Sequence, residues 1–283
     1  PGIALPKSLT ASTDAASVLS EATQVYISVP SQSLRSNLED WGKQLPQDAI
    51  IVSLMKGVEQ ETGLRMSEVI QQVAGIDPQR IAVVSGPNLS LEIAAEEPTA
   101  SVASSVSDAT RTAVAEAASN EYFTTFTNDD VIGTEFGGIL KNLIAVAIGI
   151  VNGVGYGQNT KASIMTRGLA ELTRFAVAYG AEEKTMVGLA GLGDLIATSE
   201  SSLSRNHKAG EMLGKGYTLK EVQKRMSQTA EGLASVAPIL RLAKAKNVSM
   251  PIVEQVQLVL EGKMNPRDIA PHLTHASDGP VNE

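Results

Sequence analysis

The chain contains no cysteine. Disulfides, thiolate metal sites and cysteine nucleophiles are therefore excluded, and the absence fits a reducing compartment. Histidine is scarce: His207, His272 and His275 are the only three. No HExxH spacing occurs. His272 and His275 sit in a polar tail among Pro and Ser, which reads as solvated sequence, so no metal site is expected. An excess of positive charge is also lacking. The net charge of −8 argues against bulk binding of nucleic acid or anionic membrane. An anionic substrate would need a local cationic site. Long apolar runs are missing too. The longest, Leu143 to Val151, falls short of the roughly 20 residues of a membrane span.

What is present is the composition of a globular protein, 43% hydrophobic and 19% charged. Its 283 residues suggest two domains. One stretch organises the rest, Gly133 to Asn152, GTEFGGILKNLIAVAIGIVN. It reads as a buried helix, yet it holds Gly133, Gly137, Gly138 and Gly149, and each interior glycine costs roughly 1 kcal/mol against Ala. At helical spacing Thr134, Gly137, Gly138, Lys141, Ala145, Gly149 and Asn152 share one face. That face is a shallow groove containing one cation. Lys141 has two readings: its amine snorkels to the surface, or it is a catalytic amine with a lowered pKa.

Upstream, short β-branched runs alternate with helical patterns. Gln24–Val29, Ala49–Leu54, Arg80–Ser85, Ser101–Ser105 and Phe123–Thr127 read as strands. Ser33–Leu45, Thr62–Ala74 and Asp108–Ser119 read as helices. This alternation predicts a parallel sheet with helices on both faces. Ligands of such sheets sit beyond the carboxyl ends of the strands. Three loops fall there: Val29-Pro30-Ser31, Lys56-Gly57 and Ser85-Gly86-Pro87-Asn88. Pro30 and Pro87 are equally well explained as strand stops. Lys56, directly after a buried strand, is harder to explain that way.

From Asn128–Val131 onward only helices are expected. Thr160–Tyr179 is a long one, followed by Leu219–Met226, Ala234–Lys246 and Ile252–Glu261. Gly188–Asp194, GLAGLGD, reads better as a tight connection between helices than as a phosphate loop, since no GK[ST] follows. Ser204 is a good N-cap for a helix ending near Gly214. Arg205 in its first turn opposes the helix dipole. A bound anion would remove that conflict; an exposed Arg in water would tolerate it.

Nine segments together resemble the bacterial NAD(P)-dependent glycerol-3-phosphate dehydrogenases. They are VPS at 29–31, KGVE at 56–59, SGPN at 85–88, LKNLIAVAIGI at 140–150, GYGQNTKASIMTRGLAE at 155–171, GLAGLGDL at 188–195, SRNHKAG at 204–210, AEG at 230–232 and MPI at 250–252. Most are weak singly; their order and spacing are specific. The resemblance implies an α/β protein with a Rossmann-like parallel-sheet domain at residues 1–129 and an all-α substrate domain at 130–283. It implies NAD- or NADP-dependent, reversible reduction of dihydroxyacetone phosphate to sn-glycerol 3-phosphate, supplying phospholipid synthesis in the cytoplasm. Lys141 matches the acid/base, with Lys56 beside it. Lys56, Gly86, Asn88, Lys141, Asp194, Ser204, Arg205 and Asn206 match substrate contacts. Pro30, Ser31, Lys56, Ser90, Arg205, Thr229 and Glu231 match cofactor contacts. Asp194 and Asn142 would orient the amine or the substrate hydroxyls. The family usually has Ser or Thr at Asn88 and a small apolar residue at Ser90. No metal, nucleic acid or integral membrane segment is implied, and a homodimer is the assembly to look for.

One departure is larger. The family opens with a strand, a GxGxxG-type loop and a helix, and Pro1-Gly2 looks like a turn that follows that unit. The chain is therefore expected to lack its first βαβ unit, and to be inactive without it. Two other readings remain: another two-domain reductase of the 3-hydroxyacid or 6-phosphogluconate dehydrogenase type, and a non-catalytic binding protein of the same fold. The SRN helix start favours a phosphorylated substrate.

Overall fold

The computed structural model describes residues 3, 5–201, 204–226 and 230–270. Thr229 and the tail from Pro271, with His272 and His275, lie outside the described residues. The β-branched runs form β1 (Gln24–Ile27), β2 (Ile50–Ser53), β3 (Ile81–Ser85), β4 (Thr99–Ser104) and β5 (Phe123–Asn128). Helix α1 (Ala15–Leu19) precedes them. Helices α2 (Leu34–Trp41), α3 (Met66–Ala74), α4 (Ser90–Ala94) and α5 (Asp108–Ala118) lie between them.

The strands line up in the order β1-β2-β3-β4-β5. Ile51 pairs with Ile81 and Val52 with Ala82, so alternate residues face opposite sides. Ile27, Ile51 and Ile81 pack on α2 and α3 through Leu34, Leu38, Met66, Val69 and Ile70. Val52, Ala82, Val84 and Ala103 face α5 through Val114 and Ala115. Helices on both faces are thus as the sequence suggests, but the sheet is not wholly parallel. Strand β4 runs antiparallel to β3 and parallel to β5. A parallel crossover needs an element long enough to recross the sheet. The β3–β4 connection has only the five-residue α4, so the chain turns back directly.

The α3 helix begins at Met66, not Thr62. Residues 58–65 fold back on themselves instead. Gly63 takes φ +75°, and Val58 bridges Arg65 in antiparallel fashion.

After Asn128 every regular element described is helical: α6 (Val131–Val154), α7 (Gln158–Ala178), α8 (Glu183–Met186), a π-helical turn (Leu189–Gly193), α9 (Asp194–Glu200), α10 (Arg205–Gly214), α11 (Leu219–Arg225), α12 (Glu231–Ala245), α13 (Pro251–Leu260) and a 3-10 turn (Pro266–Asp268). Asp130 caps α6 by accepting from Gly133 N–H at 2.8 Å. Nineteen of its 24 residues are buried, Gly133 through Val151. Run length alone does not separate α6 from a membrane span, since the helix is long and apolar enough for one. Its burial does: 83% of its most apolar window lies inside the protein, as expected of the central helix of a bundle.

The glycines of α6 are explained by what lies against them. A Cβ on Gly149 would sit 2.2 Å from the His207 carbonyl oxygen of α10, and one on Gly153 2.2 Å from that of Glu211. Gly210 and Gly214 of α10 meet α6 in the same way, at Val146 O and Ile150 O. The two backbones cross in contact, and close packing offsets the helix-propensity cost. Gly137 makes room for Ala190 in the π turn, and Gly138 for the stem of Lys56. The GLAGLGD segment is therefore a packing turn against α6.

Candidate active site

Lys141 projects from the middle of α6 and is 7% exposed. It does not snorkel. Its Nζ donates to Asp194 Oδ1 at 2.8 Å and Thr198 Oγ1 at 2.5 Å. Asp194 and Thr198 are one turn apart on α9 and bonded to each other at 3.1 Å. The second carboxylate oxygen of Asp194 holds Lys56, with Nζ to Oδ2 2.6 Å. One carboxylate thus joins two ammonium groups. Burial pushes the Lys141 amine down to about 8, helped by the charges of Lys56 and Arg205 and opposed by Asp194. For Asp194, burial would raise the carboxyl, but the two lysines outweigh it and hold it below the usual range.

Lys56 arrives from the carboxyl end of β2. Its Nζ also donates to the Gly86 carbonyl at 2.9 Å, from the end of β3. Gly86 has φ +142° and lies so near β4 that a Cβ would be 3.1 Å from Ser101 Cα, so this corner requires glycine. Asn88 donates to Ser101 Oγ at 3.1 Å, and its Oδ1 is buried without a partner. Ser90 is exposed at the start of α4. After β1, Pro30 precedes a short 3-10 turn. Ser31 there donates from Oγ to Glu231 Oε1 at 3.0 Å, tying the sheet to α12. Gly57 lies tight against Ser31, since a Cβ would be 2.2 Å from its Oγ. The three loops expected at the strand ends therefore converge with Lys141.

Helix α10 brings the remaining predicted residues. Ser204 is its N-cap and accepts from His207 N–H at 3.2 Å. Arg205 is exposed and makes no hydrogen bond or ion pair among the described residues. Asn206 is committed differently: it donates to Asn142 Oδ1 at 2.8 Å and accepts from Gly232 N–H at 2.9 Å. Asn142 also donates to the Gly138 carbonyl. So Asn142 does not orient the lysine amine; with Asn206 it fastens α10 and the start of α12 to α6. Thr198 was missed by sequence reading. The i, i+4 spacing of Asp194 and Thr198 on one helix face was the available signal.

A nicotinamide dinucleotide fits these residues in kind. The strand ends converge, the free Asn88 Oδ1 can accept from an amide or hydroxyl, and Arg205 is uncommitted.

Comparison with known proteins shows the family. The family model described as the NAD-dependent glycerol-3-phosphate dehydrogenase C-terminus matches residues 130–271. That of the N-terminus matches residues 1–111. A glycerol-3-phosphate dehydrogenase [NAD(P)+] of Leifsonia xyli subsp. xyli is 64% identical over all of this chain and 76% of its own length. One of Frankia casuarinae is 51% identical over 99% of this chain and 83% of its own. The crystal structure of glycerol-3-phosphate dehydrogenase from Coxiella burnetii superposes with a TM-score of 0.91 at 33% identity, covering 96% of this chain and 83% of that one. The chain belongs to the NAD-dependent glycerol-3-phosphate dehydrogenase family.

Proposed function

We propose that the protein interconverts dihydroxyacetone phosphate and sn-glycerol 3-phosphate with NAD or NADP, using residues 1–129 for the dinucleotide and 130–283 for the substrate. The observation that carries this reading is Asp194 joined to both Lys141 and Lys56 beside an uncommitted Arg205. When bound, the nicotinamide supplies or accepts the hydride at C2. Lys141 gives its proton to the carbonyl oxygen as negative charge develops there, and takes it back in the reverse direction. Lys56 polarises the same oxygen and keeps Lys141 acidic. Asp194 and Thr198 hold the Lys141 amine in place. Arg205 and the free N–H groups of the α10 start bind the phosphate. Pro30, Ser31, Ser90 and Glu231 serve the cofactor side, and Gly86 and Asn88 the substrate side. A cytoplasmic location and a homodimer go with this reading.

Steady-state oxidation of NADH and NADPH by the full-length protein tests it, with dihydroxyacetone phosphate and unphosphorylated dihydroxyacetone compared. Bonds to charged groups are worth about 1.5–3 kcal/mol each, so Arg205→Ala should lower kcat/KM for the phosphorylated substrate by about ten- to a hundredfold. The poor turnover of the unphosphorylated one should hardly change. Equal losses on both would remove Arg205 from phosphate binding. Turnover of a 3-hydroxyacid in place of dihydroxyacetone phosphate would favour the other reductase type.

A further inference from the structure

The loop that carries Lys56 is fastened at its far end. Val58, two residues on, bridges Arg65, and Glu59 N–H donates to the Leu64 carbonyl at 2.9 Å. Arg65 opens α3, and its guanidinium crosses to the helical half of the molecule. There its Nη1 lies 2.5 Å from Glu135 Oε2. Its Cζ stands 5.9 Å from the Phe136 ring centre, and Nη2 keeps Glu68 at 3.0 Å. Ser67 completes the cluster, donating from N–H and Oγ to Glu135 at 2.9 and 2.6 Å. Glu135 is 3% exposed. Burial pushes its carboxyl up, against the pull of Arg65 and Ser67. A buried ion pair is a poor source of net stability, because desolvation offsets the attraction. Its placement suggests a different use. Glu135 rides on the same helix as Lys141, and Arg65 is the bridge partner of the Lys56 loop.

We propose that Arg65 and Glu135 are a positioning pair, which locks the Lys56 loop to α6 and so sets the separation of the two active-site amines. The proposal rests on the proton-transfer role of Lys141. Three charged groups act on that amine: Lys56 from the loop, Asp194 from α9 and Arg205 from α10. Only Lys56 belongs to the loop held by the pair. Loosening the pair withdraws one cation from Lys141, so its proton is held more tightly and glycerol 3-phosphate oxidation needs a higher pH. Turnover falls as well, because small displacements at a reacting centre can cost up to about a hundredfold.

The test is the pH dependence of kcat for glycerol 3-phosphate oxidation by full-length wild type, Glu135→Gln, Arg65→Met and Lys141→Met. Glu135→Gln retains an acceptor for Ser67 and leaves Arg65 its Glu68 partner, so it should fold. The expected result is a tenfold or larger fall in kcat, a smaller change in KM, and a rising limb displaced to higher pH in Glu135→Gln and Arg65→Met alike. Arg65→Lys, which keeps the charge but not the fork, should lie between these and wild type. Folded variants of lower melting temperature with unchanged kcat and an unmoved limb would make the pair merely structural and overturn the proposal. If the same limb persists in Lys141→Met, the proton-transfer reading fails and takes the proposal with it. A limb absent in Lys141→Met yet unmoved in Glu135→Gln sinks the positioning pair alone.

Discussion

A cation in the centre of a protein is costly unless its charge is matched, and Lys141 is matched by one carboxylate shared with Lys56. Burial, with the charge of Lys56 close by, still leaves the amine with a proton it can give up near neutral pH, at about 8. Asp194 opposes the downward shift, so its removal has a definite sign. In Asp194→Asn the two lysines face each other without an anion, and the Lys141 amine should lose its proton at a still lower pH. We expect the rising limb of oxidation to move down in pH, with turnover reduced at least tenfold; a limb moving upward contradicts the assignment. Breaking a buried pair also typically costs about 3–5 kcal/mol, so the melting temperature should fall. At this scale the sequence was partly legible. Lys141 stood out as the single long side chain in a row of small ones. Its partner lies 53 positions away, and no local pattern encodes such a contact. Asn206 was placed correctly at a helix start, but its side chain serves Asn142 and Gly232 rather than standing free.

At the scale of elements, α6 was readable because apolar residues and glycine rarely coincide over such a length. What the glycines accommodate was not readable, since α10 lies far along the chain. Its crossing gives a prediction. Ala is the better helix former by roughly 1 kcal/mol, yet Gly210→Ala should lower the melting temperature, because its Cβ would lie 2.2 Å from Val146 O and overpacking costs about 1–3 kcal/mol. An unchanged or raised melting temperature would mean the helices can part freely. The antiparallel β4 was missed because strand direction depends on connection length, and the short α4 was not recognised. Another element-level device was missed as well. Glu171 of α7 is 1% exposed and accepts from the N–H groups of Ile252 and Val253 at 2.9 and 3.1 Å, capping α13. Burial pushes its carboxyl up to about 7, against those bonds and Arg174 and with Glu254. A pKa raised by folding means that the folded state favours the proton. That contribution is complete below pH about 4.5 and is lost as pH rises through about 7, a change of roughly 3 kcal/mol. Glu171→Gln should therefore lose less stability than wild type between pH 5 and 8 in urea titrations. Parallel losses would place the titration elsewhere.

The whole molecule is two layers of architecture tied across their seam. Ser31 meets Glu231, Lys56 meets Asp194, Arg65 meets Glu135, and Arg241 donates to the Gln60 carbonyl. These ties predict one cooperative unfolding transition. Trp41 is the sole tryptophan and belongs to the sheet half, so its fluorescence reports on that half, while far-UV circular dichroism is dominated by the helices of the other. The two midpoints should coincide in denaturant; separated midpoints would show that the halves unfold independently. The proposed chemistry lies at the same seam, with Lys56 from the sheet and Lys141, Asp194 and Thr198 from the helices.

The most direct test of Lys141 as the proton donor and acceptor is kcat against pH in both directions, for full-length wild type and Lys141→Met. A general acid/base contributes about 10²- to 10⁴-fold. Oxidation by the wild type should rise with pH through about 8 while reduction falls, since oxidation needs the neutral amine and reduction the charged one. Lys141→Met should fold, bind cofactor, and lose at least about a hundredfold in turnover together with both limbs. A Lys141→Met enzyme that keeps more than about a tenth of wild-type turnover, with the limbs intact, would contradict the account.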